Sequence, residues 1–208
     1  MKTIYSVGDS HCYHGWQHVC IPGLNIKTYK DFISRTCSYF GFQKRDLVDL
    51  KKLGVQDGDI VSFLFGEIDC TCNIHKFADQ YKEVIDKIVE NYFYAIQVNV
   101  EQFNDLIVLV TSITPPISKI RYKADRHTDS LFPILGEDAD RKKYVKYMNL
   151  KIKEYCSKYG YDFFDIHDIH CDENGLLITE LSDQFIHIED PRYIEQELIK
   201  LLEKHKIR

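Results

Sequence analysis

The chain has no apolar run long enough to approach a membrane span, and no apolar signal-like region near its first residues. Neither a membrane-embedded nor an exported protein is expected, so the expected location is cytoplasmic. A basic stripe is also missing. The net charge is −5, with 27 Lys and Arg mixed among 32 Asp and Glu. Near the C-terminus, Lys alternates with Glu as on a solvated helix face. Nucleic acid is therefore not an expected partner. No internal repeat and no linker divides the 208 residues, which suits one domain over 1–208. The seven cysteines (Cys12, Cys20, Cys37, Cys70, Cys72, Cys156 and Cys171) are odd in number and scattered. A disulfide framework is excluded by that pattern more readily than a reducing compartment.

What is present is 44% apolar and 28% charged residues, enough for a sizeable core. Strand and helix signals alternate along the whole chain. Strands are predicted at Thr3–Val7, Asn25–Tyr29, Ile60–Phe65, Leu106–Thr111 and Tyr161–Ile166. The third is a continuous apolar run bounded by turns, which reads as a strand buried on both faces. Asp31–Phe40 reads as a helix or ordered loop. A short helix is predicted over Leu47–Leu53, stopped by Gly54, and a long amphipathic one over Lys76–Phe103. Further helices are expected at Asp138–Tyr159, capped by Gly160, and at Asp190–His205, with Pro191 in the first turn. The stretch from Ile117 to Gly136 is long and irregular, the kind of loop that often carries function. Five apolar strands separated by helices imply a parallel sheet covered on both faces, a three-layer α/β/α sandwich.

Three polar segments fall at the carboxyl ends of strands or just before the last helix. They are Gly8-Asp9-Ser10-His11, Gly66-Glu67-Ile68-Asp69 and Leu181-Ser182-Asp183-Gln184-Phe185-Ile186-His187. Gly8 lets the chain turn sharply after strand one and sets Ser10 at a strand-to-helix corner, where open α/β sheets bind ligands. A serine hydroxyl is a poor nucleophile until a base takes its proton. His187 can be that base, and Asp183 can orient its imidazole and stabilise the cation.

In this order, the segments resemble those of the SGNH (GDSL-like) hydrolase superfamily, over nearly the whole chain. The resemblance implies a flavodoxin-like fold, ester hydrolysis and no cofactor. It implies Ser10 as nucleophile, His187 as base and Asp183 as the acid, with three residues between the pair where the common form has two. Gln184 stands where that common spacing would put the carboxylate. The family's oxyanion donors are the serine N–H, a glycine after strand two and the asparagine of Gly-x-Asn-Asp. Gly41 matches the glycine better than Gly23, which precedes strand two. Ile68 occupies the asparagine's place and has no side-chain donor. Glu67, Asp69, Thr71, Asn73, His75 and His11 are the nearby polar residues that can line the oxyanion or substrate site. Phe65-Gly66-Glu67-Ile68-Asp69-Cys70, Phe132-Pro133-Ile134-Leu135-Gly136, Arg141 and Asn149 look like a divergent group within the superfamily. The resemblance points to a glycan or small-molecule ester, with acetyl as the acyl group. Alternatives are transfer of the same acyl group to a sugar, and a glycan- or protein-binding module that lost its oxyanion donor.

Other clusters read more blandly. His11-Cys12-x-His14, His18-x-Cys20 and Cys70-x-Cys72 match no standard zinc spacing, so no metal is expected. Asp165-x-His167-Asp168-x-His170-Cys171-Asp172 reads first as a polar exit loop of strand five, with metal binding a lesser alternative. Tyr13, Trp16, Tyr39, Phe40 and Tyr122 could stack on a sugar ring, with core or surface packing at least as good a reading for each.

Overall fold

The alternating apolar runs form the strands of one sheet. In the computed structural model, which describes residues 2–30, 48–124 and 133–207, these are β1 (Lys2–Gly8), β2 (Leu24–Lys30), β3 (Ile60–Leu64), β4 (Ile107–Thr111) and β5 (Asp162–Phe164). All neighbours are parallel, in the order β2-β1-β3-β4-β5. The helices are α1 (Tyr81–Val100), α2 (Lys119–Ala124), α3 (Asp138–Tyr159) and α4 (Arg192–Lys204). This is the expected flavodoxin-like α/β architecture.

Side-chain alternation along the strands feeds two cores. Tyr5, Val7, Val61, Phe63, Val108 and Val110 face one side, against Ile85, Ile88 and Tyr92 of α1 and Tyr144, Met148 and Ile152 of α3. Ile4, Ile60, Leu109 and Phe164 face the other, against Trp16 and against Ile194, Leu198 and Leu202 of α4. Within the sheet, the Ser62 and Thr111 hydroxyls pair at 2.8 Å. Among the described residues, no helix is long and apolar enough to cross a membrane.

Two helix expectations need correction. The stretch from Lys76 to Phe103 is not one helix. A 3-10 segment, Ile74–Gln80, precedes α1, and Phe77 breaks the helical path at φ −127°, ψ 39°. The short helix predicted to end at Leu53 is, over its described residues, a run of turns. Its bonds Leu53 N–H to Asp49 O and Gly54 N–H to Lys51 O do not propagate. Gly54 does close this stretch, at φ +82°. The fifth strand is three residues long rather than six. Within the long irregular stretch, α2 is an element that the sequence pattern did not reveal.

Two devices on α3 fix the loop leaving β4. Asn149 grips Ile113, accepting from its N–H at 2.7 Å and donating to its carbonyl at 3.0 Å. Arg141 is wholly buried and donates to the carbonyls of Ile117 and Gly136 and to Asp138.

Candidate active site

In an open parallel sheet, the crevice forms where successive connections leave in opposite directions. Here that point lies between β1 and β3, because β2 follows β1 on one side and β3 pairs on the other. Ser10 follows β1 directly. Gly8 pairs with Leu64 at the end of β3, and the Asp9 N–H donates to the Leu64 carbonyl at 3.1 Å. A Cβ on Gly8 would stand 1.9 Å from that carbonyl oxygen, so only glycine permits the approach. Asp9 then caps a 3-10 turn, Ser10–Cys12, accepting the His11 N–H at 3.0 Å.

The segment before α4 brings two side chains onto Ser10. His187 Nε2 lies 2.8 Å from Ser10 Oγ, and His187 Nδ1 lies 2.6 Å from Asp183 Oδ2. Asp183 also accepts the N–H groups of Phe185 and His187, at 2.8 and 3.1 Å. Gln184 adopts φ +67°, and this turn folds Asp183 back onto His187 across the longer spacing. Burial works against the Asp183 charge, yet the His187 contact and these N–H groups pull its pKa down to about 2. Burial drives His187 down to about 4, helped by the neighbouring His11 and His14 and opposed by Asp183. At neutral pH the imidazole is therefore uncharged and able to accept a proton.

His187 sits between two other histidines. The His14 ring stacks on it at 3.9 Å with 9° between planes, and the His11 ring lies 4.8 Å away. His14 Nδ1 and His18 Nε2 share the Glu189 carboxylate at 3.0 and 2.8 Å. This flank was not legible in the sequence, since His14 and Glu189 stand 175 residues apart. A hint existed nonetheless: His14 is one helical step from Ser10, and Glu189 is two residues from His187.

Beneath Ser10 lies a buried polar cluster. His11 Nε2 is 3.6 Å from Glu67 Oε2, and His11 Nδ1 is 3.4 Å from Thr114 Oγ1. The Thr71 hydroxyl donates to Glu67 Oε1 at 2.5 Å. Burial opposes both charges. Even so, Glu67 and Asp9 raise the His11 pKa, and His11 and Thr71 lower that of Glu67, so each group favours the charged form of the other. Burial lifts the Asp9 carboxyl to about 6, and Asp9 Oδ2 has no hydrogen-bond partner. Burial holds Asp69 well above the usual carboxylate range, which favours its neutral form.

The remaining predicted site residues separate. Glu67 and His11 lie at the site but are engaged with each other. Asp69 is fully buried and exposes no atom to a substrate, contrary to the expectation that it lines the pocket. The Asn73 Oδ1 accepts from Lys76 at 3.0 Å, and His75 Nδ1 faces the Tyr144 hydroxyl at 3.0 Å. Ile68 is half-buried. Gly41, Tyr39, Phe40 and Phe132 lie outside the described residues. The Ser10 N–H donates to no acceptor among the described residues. Trp16 is not available to a sugar: it is wholly buried against Phe164. Tyr122 stacks on Phe185 at 5.4 Å. Of the sequence clusters set aside above, Cys12 is buried and its thiol donates to the Tyr29 carbonyl. Cys70 and Cys72 are buried as well.

No family model matches the chain, and no curated protein matches it. Solved structures do. A candidate platelet activating factor from Streptococcus pneumoniae superposes with TM-score 0.61 at 18% identity, covering 98% of this chain and 83% of that one. A GDSL-like lipase from Bacteroides thetaiotaomicron gives 0.56 at 15%, covering 98% and 89%. A carbohydrate acetylesterase from Sinorhizobium meliloti gives 0.55 at 14%, covering 100% of both chains. At these identities the likeness is one of fold, and the fold of this chain is that of the SGNH hydrolases.

Proposed function

We propose that this chain is an SGNH-type serine esterase that removes acyl groups, acetyl foremost, from a carbohydrate or another small ester. The observation that carries the reading is the unbroken hydrogen-bonded line from Ser10 through His187 to Asp183. Ser10 Oγ attacks the ester carbonyl while His187 Nε2 takes its proton. Asp183 holds the Nδ1–H and balances the imidazolium as it forms. Collapse expels the alcohol, which receives the proton from His187. Water, activated by the same histidine, then releases the acid from the acyl-serine. The free Ser10 N–H is the first oxyanion donor. Ile68 offers none from its side chain, and one missing donor typically costs roughly a hundred- to thousand-fold in rate. A slow enzyme is therefore expected. The acetyl and carbohydrate parts of the reading are supported by the acetylesterase among the structures of like fold.

A fluorophosphonate probe tests the nucleophile. Wild type is expected to label at Ser10, with labelling lost in Ser10→Ala and strongly reduced in His187→Ala. Hydrolysis of short-chain acyl esters should follow the same order. Absence of both labelling and hydrolysis in folded wild-type protein would favour the non-catalytic module to which Ile68 points. Added sugar acceptors separate the two fates of the acyl-serine: free acid marks hydrolysis, and an acylated sugar marks transfer.

A further inference from the structure

The loop leaving β5 gathers a second set of reactive side chains, which the hydrolysis proposed above does not use. A 3-10 turn, Asp168–His170, closes through the bonds His170 N–H to His167 O at 3.0 Å and Cys171 N–H to Asp168 O at 3.2 Å. This turn brings His167 and Cys171, four residues apart, onto one side. Cys171 Sγ lies 3.7 Å from His167 Nδ1 and 3.9 Å from Nε2, and His167 Nδ1 lies 2.8 Å from Asp168 Oδ1. One ligating atom from each of the three falls within 4.8 Å of the other two.

These distances suit a metal ion. Zinc binds imidazole nitrogen at about 2.0–2.1 Å and sulfur at about 2.3 Å, so tetrahedral N and S donors stand about 3.6 Å apart. The 3.7 Å from Cys171 Sγ to His167 Nδ1 is close to that edge, and because Sγ lies almost as near Nε2, a rotation of the ring or the thiol would bring the Nδ1 lone pair and the sulfur onto one ion. The His167–Asp168 hydrogen bond would have to open by roughly half an ångström to admit the ion. Asp168 is free to do so, because its side chain is 93% exposed, whereas His167 is held at 19%. The loop is already shaped for this. Asp165 accepts the His167 N–H at 3.2 Å, and Asp172 accepts those of Asn174 and Leu176 at 2.8 and 2.9 Å. Asp165, Asp172 and Glu173 line the same groove and add negative charge around the three donors.

We propose that His167, Asp168 and Cys171 bind a divalent cation of the zinc class, with water in the open fourth position. The donor set of imidazole, thiolate and carboxylate favours zinc or cobalt over magnesium or calcium. Binding converts the Cys171 thiol to the thiolate, and its proton leaves to solvent. The site stands apart from Ser10, so it does not depend on the esterase reading.

Cobalt(II) is the probe. Chelator-stripped, reduced full-length protein is titrated with Co²⁺ and followed for tetrahedral visible bands and the ultraviolet thiolate-to-cobalt charge-transfer band. One equivalent should bind with that charge-transfer band, and Zn²⁺ should displace it. Cys171→Ser should abolish the band, and His167→Ala should weaken binding at least tenfold. Both variants should keep wild-type ester hydrolysis and melting behaviour. Cys20→Ser and His14→Ala should leave the band unchanged. His14 matters here because His14, Asp183 and His187 form another set of convergent donors, but one without sulfur. Absence of a charge-transfer band in wild type overturns the proposal, as does a band that persists in Cys171→Ser.

Discussion

His187 is held from three directions: Asp183 at Nδ1, Ser10 at Nε2 and the His14 ring across its face. Each contact has a separate kinetic signature. Asp183→Asn keeps the shape but presents an amide where the carboxylate received the Nδ1–H. The imidazole then takes the wrong tautomer, and kcat should fall by roughly ten-thousandfold, as for the equivalent change in a serine protease. The pH profile follows from the His187 value of about 4. The base works only when unprotonated, so kcat/KM should be flat above about pH 5 and fall as pH drops through about 4. His14→Ala removes a neighbour that disfavours the imidazolium and lets water in, so its acid limb should move to higher pH. A limb that stays in place would show that His14 does not tune the base. That Ser10, His187 and Asp183 meet was legible because each lies in a short polar motif at a strand end or before the last helix. Their setting was not. The His11–Glu67 pair joins segments 56 residues apart, and nothing in local spacing marks such pairs.

The inner strands β3 and β4 were legible because burial on both faces leaves continuous apolar runs that turns then delimit. The long α3 was equally plain: Glu137 and Asp140 form a capping box at its start, and Gly160 ends it at φ +73°. The break at Phe77 was not. The apolar spacing through Phe77 and Tyr81 is helical, and both side chains still pack on the core despite the kink. Periodicity reports which side chains are buried, and here tertiary packing overrode the helical path between them. The turn after β1 carries its own prediction. Gly8→Ala forces a Cβ against the Leu64 carbonyl, so β1 and β3 must separate where Ser10 is positioned. Overpacking of this kind typically costs roughly 1–3 kcal/mol. Thermal denaturation should show the loss, and fluorophosphonate labelling should fall further than stability alone explains. An unchanged melting temperature would mean that the strand ends adjust freely.

At the scale of the whole molecule, the carboxyl edge of the sheet concentrates charge that the two cores cannot dilute. Asp9, Glu67 and Asp69 are all buried there, with His11 against Glu67. Such a cluster holds together only if some of its acids stay protonated. Asp69 is the extreme member, fully buried, with the Asn73 side chain opposing the cost of burying its charge. Burial holds its folded-state pKa well above the unfolded value, with the charges of Asp9 and Glu67 adding to the shift. The folded chain therefore keeps a proton that the unfolded chain releases. The resulting stabilisation is complete below the unfolded pKa, near 4, and is lost as pH rises toward the folded value, at up to about 1.4 kcal/mol per pH unit. Asp69→Asn preserves the shape of the neutral acid and removes its titration. Denaturant unfolding of both proteins should show the variant gaining on wild type as pH rises above the unfolded carboxylate pKa, near 4. Subtracting the two curves cancels the other titrating groups to first order. A difference that does not change with pH would mean that Asp69 is ionised in the folded protein, with a counter-charge beneath Ser10 still to be found.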